Sequence, residues 1–510
     1  KKTGITIDRI PKIEDMDDKL QEIGWRAVPV RGFLPPTIFM QFQAHAILPI
    51  ASDMRTVNHL TYTPAPDIVH EAAGHSPIIV DSNYSKFLKE YGNAATRAIY
   101  SKDDYNIYLA IRNLSDIKEN PRATSSKIKD AEMNLELCIS NMKSVSEAAY
   151  LARLNWWTVE YGLVGDINKP KIYGAGLLSS VSESYNAIYG NVEKIPFSLD
   201  CINYPYDITE QQPQLFVAND FEHLSDVLSN LTLKMAYKVG GIESVKKAIS
   251  SESVCTYQLD NGLQISGLPN NFIGNEFIEY YRFSGSVQLS HNNNQLEGHN
   301  GDYHSDGFSS PLCDDNIINK LIDSNIGEEL HLEFSKGITL SGVMKEKIFK
   351  DKVLLLASFN NCQIKKGDDI LFSPDWGQFD LACGKSIVSV SGGPADMKNY
   401  LKFIDIEVPN KNKPIYLAEP SENKKKLNVL YSKINNISSG SLLDQKDIAH
   451  IINLLESDFP NDWLSRFKIM ELLFYTENSN GSTYKNLYSQ IDKISKNNSD
   501  LHESIKRGIQ

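Results

Sequence analysis

The sequence predicts a multidomain α+β protein: a mostly helical first region, then a small β-barrel or sandwich-like domain, then a helical C-terminal region. Three observations point there. Residues 1–225 read as helices separated by well-placed breakers. Residues 284–410 alternate β-branched and apolar residues with Gly, Asn and Asp turns. Residues 411–510 are polar and helix-prone, with Asn- and Ser-rich turns. A chain of 510 residues exceeds what one hydrophobic core can hold, so several domains are expected.

In the first region, Pro35-Pro36 precedes an apolar segment, Ile38 to Ile50, that reads as one helix. Tyr62-Thr63-Pro64-Ala65-Pro66-Asp67 is a rigid, extended entry into the next helix, because each proline disfavours helix in the residue before it. Asp67 suits the N-cap. Residues 97–147 form a charged, helix-prone insertion, for example at Ile128 to Leu137, broken at Asn120-Pro121. Residues 226–283 read as a helical connection ending in strand-like residues such as Thr256 to Ile265. In the β-rich region Leu340–Val343, Lys352–Phe359, Asp369–Phe372 and Ser386–Ser391 are strand candidates at close spacing. No internal repeat is evident.

Bulk properties narrow the function. Hydrophobic residues make up 41% and charged residues 23%, as in an ordinary globular protein. A formal net charge of -12 argues against nucleic acid or a membrane surface as partner. No apolar run approaches the ~20 residues that span a bilayer. The six cysteines are scattered without a CxxC pair, which reads as reduced thiols and a cytoplasmic location.

The chemistry concentrates in Pro66-Asp67-Ile68-Val69-His70-Glu71-Ala72-Ala73-Gly74-His75. Two histidines and a glutamate on one short helix suggest a metal site. In an HExxH zinc motif the histidines are four apart, about 40° apart around the helix. Here they are five apart, about 140° on an ideal helix. Both reach one metal only if the helix widens, as in a π-bulge, or ends between them, and Gly74 and Pro77 sit where that would occur. A third ligand is offered by Trp156-Trp157-Thr158-Val159-Glu160-Tyr161-Gly162-Leu163, where Glu160 stands alone in an apolar, aromatic stretch. Two histidines and one carboxylate on one face leave three positions open, the ligand set of Fe(II) enzymes that activate dioxygen. A zinc hydrolase with Glu71 as general base is the rival reading.

Several segments in order carry a resemblance: Val30-Arg31-Gly32-Phe33-Leu34 through Phe39; Arg55; Tyr62 through His75; Trp156 through Leu163; Tyr173-Gly174-Ala175-Gly176-Leu177-Leu178-Ser179-Ser180; and Glu183. A weaker match continues through Tyr206-Asp207-Ile208-Thr209-Glu210. Residues 1–225 resemble the catalytic domain of the pterin-dependent aromatic amino acid hydroxylases, and among these the phenylalanine 4-hydroxylases most. The resemblance implies that His70, His75 and Glu160 hold Fe(II). It implies that Phe39 stacks on a tetrahydropterin (tetrahydrobiopterin or similar), with Gly32, Phe33 and Leu34 along its edge and Glu71 and Ala152 nearby. It implies that Arg55, held by Asp67, pairs with the substrate carboxylate. Thr63, Pro64, Gly176, Ser179 and Ser180 would surround the amino acid backbone, with Trp156 as aromatic wall. Glu183 would be a carboxylate close to a ligating histidine.

The implied reaction is ring hydroxylation of an aromatic amino acid with O2. A bulky Trp156 and an apolar Ile208 lean towards L-phenylalanine, giving L-tyrosine, over tryptophan or tyrosine as substrate. The sequence departs from the family pattern in the insertion at 97–147, in Asn155 where the familiar enzymes carry an aromatic residue, and in Trp157 where they carry Phe. Residues from 226 on match no part of those enzymes. They leave room for a homo-oligomer interface, or for a non-catalytic amino acid sensor. In the β-rich region His291, His299 and His304, with Asp302, are spaced for a second, loop-borne metal site, although turns rich in Gly, Asn and His are the plainer reading.

Overall fold

The computed structural model describes residues 9–30, 34, 36–55, 66–119, 123–206, 208, 211–400, 420–438, 445–475, 481–497 and 502–508. They fall into two compact units, one holding the described residues up to 400 and the other those from 420 on.

The first unit begins with the helix Ile13–Gln21, the strand Arg26–Val30, the helix Pro36–Ala44 and the strand Ile47–Ala51. The two strands pair in parallel, Arg26 opposite Ile47. The single helix expected over Ile38 to Ile50 is therefore corrected: it stops at Ala44, Ala46 turns through a left-handed conformation (φ 55°), and the rest is strand. Pro49 cannot donate an intrahelical hydrogen bond, and the strand sets Leu48 and Ile50 fully into the core.

Asp67 caps the next helix as its sequence position suggests, its carboxylate accepting the His70 N–H. The insertion is a helical hairpin, Lys102–Glu119 and Ser125–Ser140. The helix Glu147–Asn155 follows. A four-stranded sheet then forms in the order Lys169–Ile172, Leu163–Asp166, Gln214–Ala218, Glu193–Pro196. One core runs through this part from Met16 to Met235, with Trp25, Phe87, Trp157 and Leu177 at its centre.

Helices Phe221–Thr232, Ala236–Val239 and Gly241–Ser250 lead into the β part. Its strands start at Cys255, where the connecting segment is expected to turn strand-like around Thr256 to Ile265. Five of the six strands of one sheet lie in the order Asn294–Gln295, Tyr280–His291, Leu263–Ile273, Cys255–Leu259, Ile387–Gly392, and Gly307–Pro311 also pairs with Tyr280–His291. A second sheet runs Glu329–Glu333, Ile338–Lys350, Val353–Lys366, Asp369–Phe372, with Phe379–Ala382 also on Val353–Lys366. The sheets share a core in which Tyr257, Ile265 and Leu289 of the first join Leu355, Leu356 and Ala382 of the second.

This β part is stapled to the helical part. Gly392 N–H donates to the Arg97 carbonyl (3.0 Å), and Lys102 N–H to that of Ser251 (2.8 Å). The buried Glu147 carboxylate accepts the Ala236 N–H (2.8 Å), the Ile99 N–H (3.3 Å) and the Lys247 ammonium (3.0 Å). The second unit packs the helices Glu422–Ser438, Gln445–Asp458, Trp463–Tyr475, Ser482–Lys496 and His502–Gly508 around Leu430, Ile434, Leu455, Leu487 and Ile491. Among the described residues no helix is long and apolar enough to cross a membrane.

Glu147→Ala leaves two inward N–H groups without their acceptor. It is expected to lower the stability of the first unit by about 3 kcal/mol, read as a fall in the urea midpoint with an unchanged slope.

Candidate metal centre

The spacing problem posed by His70 and His75 is solved by widening the helix. Residues Glu71–His75 form a π-helical turn, with the Ser76 N–H donating to the Glu71 carbonyl five residues back. The wide turn swings His75 onto the face that carries His70. Their Nε2 atoms converge to 3.1 Å. The third ligand arrives on a second π-helical turn, Trp156–Glu160, in which Tyr161 N–H reaches the Trp156 carbonyl (2.8 Å). Glu160 sets one carboxylate oxygen 3.3 Å from each histidine Nε2.

The three separations, 3.1 to 3.3 Å, fit one ion. Ligands at right angles around a metal at about 2.1 Å stand about 3.0 Å apart. Glu71 is a rival third ligand, since His70, Glu71 and His75 also lie within 4.8 Å of one another. Electrostatics separates the two carboxylates. Burial works against the charge of Glu160, but the His75 and His70 imidazoles outweigh it and hold the carboxyl well below the usual range. Burial dominates at Glu71 and pushes its carboxyl up, towards the neutral form. Its Oε2 is buried without a hydrogen-bond partner among the described residues. Such an atom suits a ligand's polar group better than a metal already served by Glu160.

The surroundings fix these side chains. His70 Nδ1 lies 2.9 Å from the Ser179 hydroxyl; with Nδ1–H donating to it, the Nε2 lone pair faces the centre. Burial opposes protonation of His70, and the Glu160 carboxylate more than offsets it, so its pKa is raised. Asp67 grips Arg55 through two parallel contacts, Nε to Oδ2 and NH2 to Oδ1, both 2.8 Å, and takes the Arg55 backbone N–H as well. Burial would raise the Asp67 pKa, but these bonds lower it below the ordinary carboxylate value. Arg55 also donates from NH1 to the Ser179 carbonyl (2.7 Å), so the guanidinium and His70 meet at one residue.

Glycines let the segments approach. A Cβ on Gly74 would lie 2.7 Å from the Ala175 Cβ, and one on Gly174 would lie 2.5 Å from the Glu160 carbonyl oxygen. The Gly174-Ala175-Gly176 run therefore seats both ligand-bearing helices.

Of the other expected site residues, Phe39 places its ring 5.4 Å from that of His75. Ala152 is partly buried against the same core, while Gly176 and Ser180 are buried. Trp156 stacks on Tyr206 (4.4 Å, 12°) and on Tyr161 (4.7 Å, 29°). Leu34 is half-buried; Gly32, Phe33, Thr63 and Pro64 lie outside the described residues. Glu183 is buried, and its carboxylate accepts the Gln212 N–H (3.4 Å). Gln212 in turn takes the Trp156 indole N–H (3.0 Å). Ser179 is thus the hydrogen-bond partner of His70, and Glu183 is linked through Gln212 to Trp156. Gln212 and Tyr206 carry no sequence signal of their own beyond the weak match near them.

Part of the chain is similar to known proteins. Residues 1–109 and 126–241 match the family described as biopterin-dependent aromatic amino acid hydroxylase. The gap falls in the helical hairpin. A phenylalanine-4-hydroxylase of Mesorhizobium japonicum is 29% identical over 224 residues, 43% of this chain and 66% of that protein. One of Dictyostelium discoideum is 29% identical over 221 residues, 43% of this chain and 40% of that protein. The chain thus spans less than two thirds of the length of these relatives. A solved Chromobacterium violaceum phenylalanine hydroxylase, with bound iron(III) and oxidised 7,8-dihydrobiopterin, is similar at 26% identity over 46% of this chain and 70% of that one, with a TM-score of 0.34.

Two outcomes are expected. Gly74→Ala drives a methyl group into Ala175, so the wide turn no longer seats; metal retained after gel filtration falls below a tenth of the parent value, measured by mass spectrometry of the metal. Burial raises the Glu183 pKa from 4.5 to about 7, so this carboxyl costs nothing below pH 4.5 and costs stability as pH rises through 7. Relative to the parent, Glu183→Gln gains about 3 kcal/mol more at pH 8 than at pH 4.5, read from urea unfolding at both values.

Proposed function

We propose that this chain, whose residues 1–109 and 126–241 belong to the biopterin-dependent aromatic amino acid hydroxylases, hydroxylates the ring of L-phenylalanine to L-tyrosine. It would use O2, Fe(II) on His70, His75 and Glu160, and a tetrahydropterin. The observation that supports this most is the convergence of two imidazoles and one ionised carboxylate, produced by two separate widened helical turns. When bound, the iron and the pterin supply the electrons that reduce dioxygen.

The chain's own residues bind and orient. Contacts with the described residues occupy three of the five N–H groups of the Arg55 guanidinium: Nε–H and one on each terminal nitrogen. Each terminal nitrogen has a further N–H that these contacts with the described residues do not use, and a guanidinium suits the carboxylate of an amino acid. Asp67 keeps the guanidinium from turning. Trp156, backed by Tyr161 and Tyr206, gives the substrate ring a flat apolar wall. Ile208 brings no side-chain hydrogen-bond partner for a ring hydroxyl, which favours phenylalanine over tyrosine.

Phe39, beside His75, offers a face for the pterin ring, and Leu34 and Ala152 are assigned to the pterin by the same resemblance. Glu71, whose Oε2 has no hydrogen-bond partner among the described residues, offers the pterin a hydrogen-bonding group. The five-residue spacing of His70 and His75 speaks against a zinc hydrolase, whose paired histidines stand four apart on the helix.

The test is tyrosine formation from phenylalanine by the full chain loaded with Fe(II), with tetrahydrobiopterin and air. Product is expected from the parent. Glu160→Ala should lose both iron and product. Arg55→Lys should keep iron but lose roughly 100-fold in kcat/KM, since a point charge cannot replace the guanidinium. Iron bound at one equivalent with no product from phenylalanine, tyrosine or tryptophan would overturn the reading.

A further inference from the structure

A second set of metal-type ligands lies in the β part, away from the hydroxylase residues. We propose that His299, His304 and Asp380 form a site for a divalent transition metal of the zinc, cobalt or nickel class. All three are buried, and one ligand atom from each lies within 4.8 Å of the others. His299 Nδ1 and His304 Nε2 stand 3.1 Å apart. That separation again suits neighbouring ligands of one ion at about 2.1 Å.

The fold builds this arrangement from distant stretches of chain. His299 and His304 lie between the strands Asn294–Gln295 and Gly307–Pro311, and Asp380 lies on the strand Phe379–Ala382. The backbone on both sides of the histidine pair is pinned to the strand Tyr280–His291. Leu289 N–H donates to the His299 carbonyl and Val287 N–H to that of His304, each at 3.1 Å. The carboxylate is oriented too: Asp380 Oδ1 accepts from the Ser358 hydroxyl (2.5 Å) and the Gln378 amide (2.9 Å). Tyr303 lies edge-on to both imidazoles, at 5.4 and 4.6 Å. Neutral imidazoles beside one carboxylate favour a borderline metal over magnesium or calcium, which prefer all-oxygen sets. Three protein ligands leave a coordination position for water or a further ligand.

The sequence pointed at this loop but not at this set. His291 sits at the end of its strand, paired with Leu263 and Asn294, and Asp302 is exposed. The third ligand comes instead from Asp380, 76 positions beyond His304 in the numbering.

The experiment uses the full chain with the first centre disabled by His70→Ala and Glu160→Ala, so that its outcome is independent of the hydroxylase reading. The protein is stripped with a chelator and titrated with Zn(II), and separately with Co(II) for its visible absorption. One equivalent is expected to remain after gel filtration, with cobalt bands in the visible range. Adding His304→Ala should remove the equivalent. Adding Asp380→Asn, nearly the same size, should keep the fold by circular dichroism and weaken binding at least 10-fold. No retained metal in the disabled background would overturn the proposal. So would an equivalent that survives both further substitutions.

Discussion

Two imidazoles five residues apart on one continuous helix face one point only if the turn between them is widened, and the segments around His70 and His75 are arranged to accommodate that turn. A π turn leaves a bulge that must be accommodated by its neighbours. Here Gly74 and the Gly174-Ala175-Gly176 run remove the side chains that would keep the segments apart. The same device recurs at Trp156–Glu160, so the convergence of the three candidate ligands depends on locally overwide helix. Asp67 ties this geometry to its entry point. One carboxylate caps the helix, neutralises a buried guanidinium and accepts that residue's backbone N–H. Such a group is hard to replace, because its tasks fail together.

Charge is distributed with equal care. Arg55 and Asp67 cancel each other under cover, with side chains 3% and 4% exposed. Of the two carboxyls near the histidines, the imidazoles hold that of Glu160 down against its burial, and burial pushes that of Glu71 up.

How much of this was legible in the sequence follows from the range of each interaction. The widened turn, the Asp67 cap, and Glu160 as partner to both histidines follow from spacing and from the cost of an isolated buried carboxylate. The strands Ile338–Lys350, Val353–Lys366 and Asp369–Phe372 follow from alternation and turn residues. The helix drawn through Ile38 to Ile50 failed because apolar runs do not distinguish helix from strand, and pairing with Arg26–Val30, 21 positions upstream in register, decided it. Ser179 as the partner of His70, Glu183 linked through Gln212 to Trp156 and Asp380 beside His304 were beyond reach for the same reason. Each is a tertiary contact between residues whose local sequence gives no hint of the other.

The stapling of helical and β parts bears on what counts as an independent piece of this chain. Similarity to the hydroxylases stops at residue 241, yet the contacts do not. Ile99 and Ala236, both within the similar stretch, belong to the core built by the β strands. The Arg97 carbonyl is satisfied by Gly392, whose missing side chain is what allows the backbones to touch. Cutting where the resemblance ends would bare that core and strand those carbonyls. The stretch of similarity is therefore smaller than the unit of folding: the β strands are part of the ground on which the similar stretch stands.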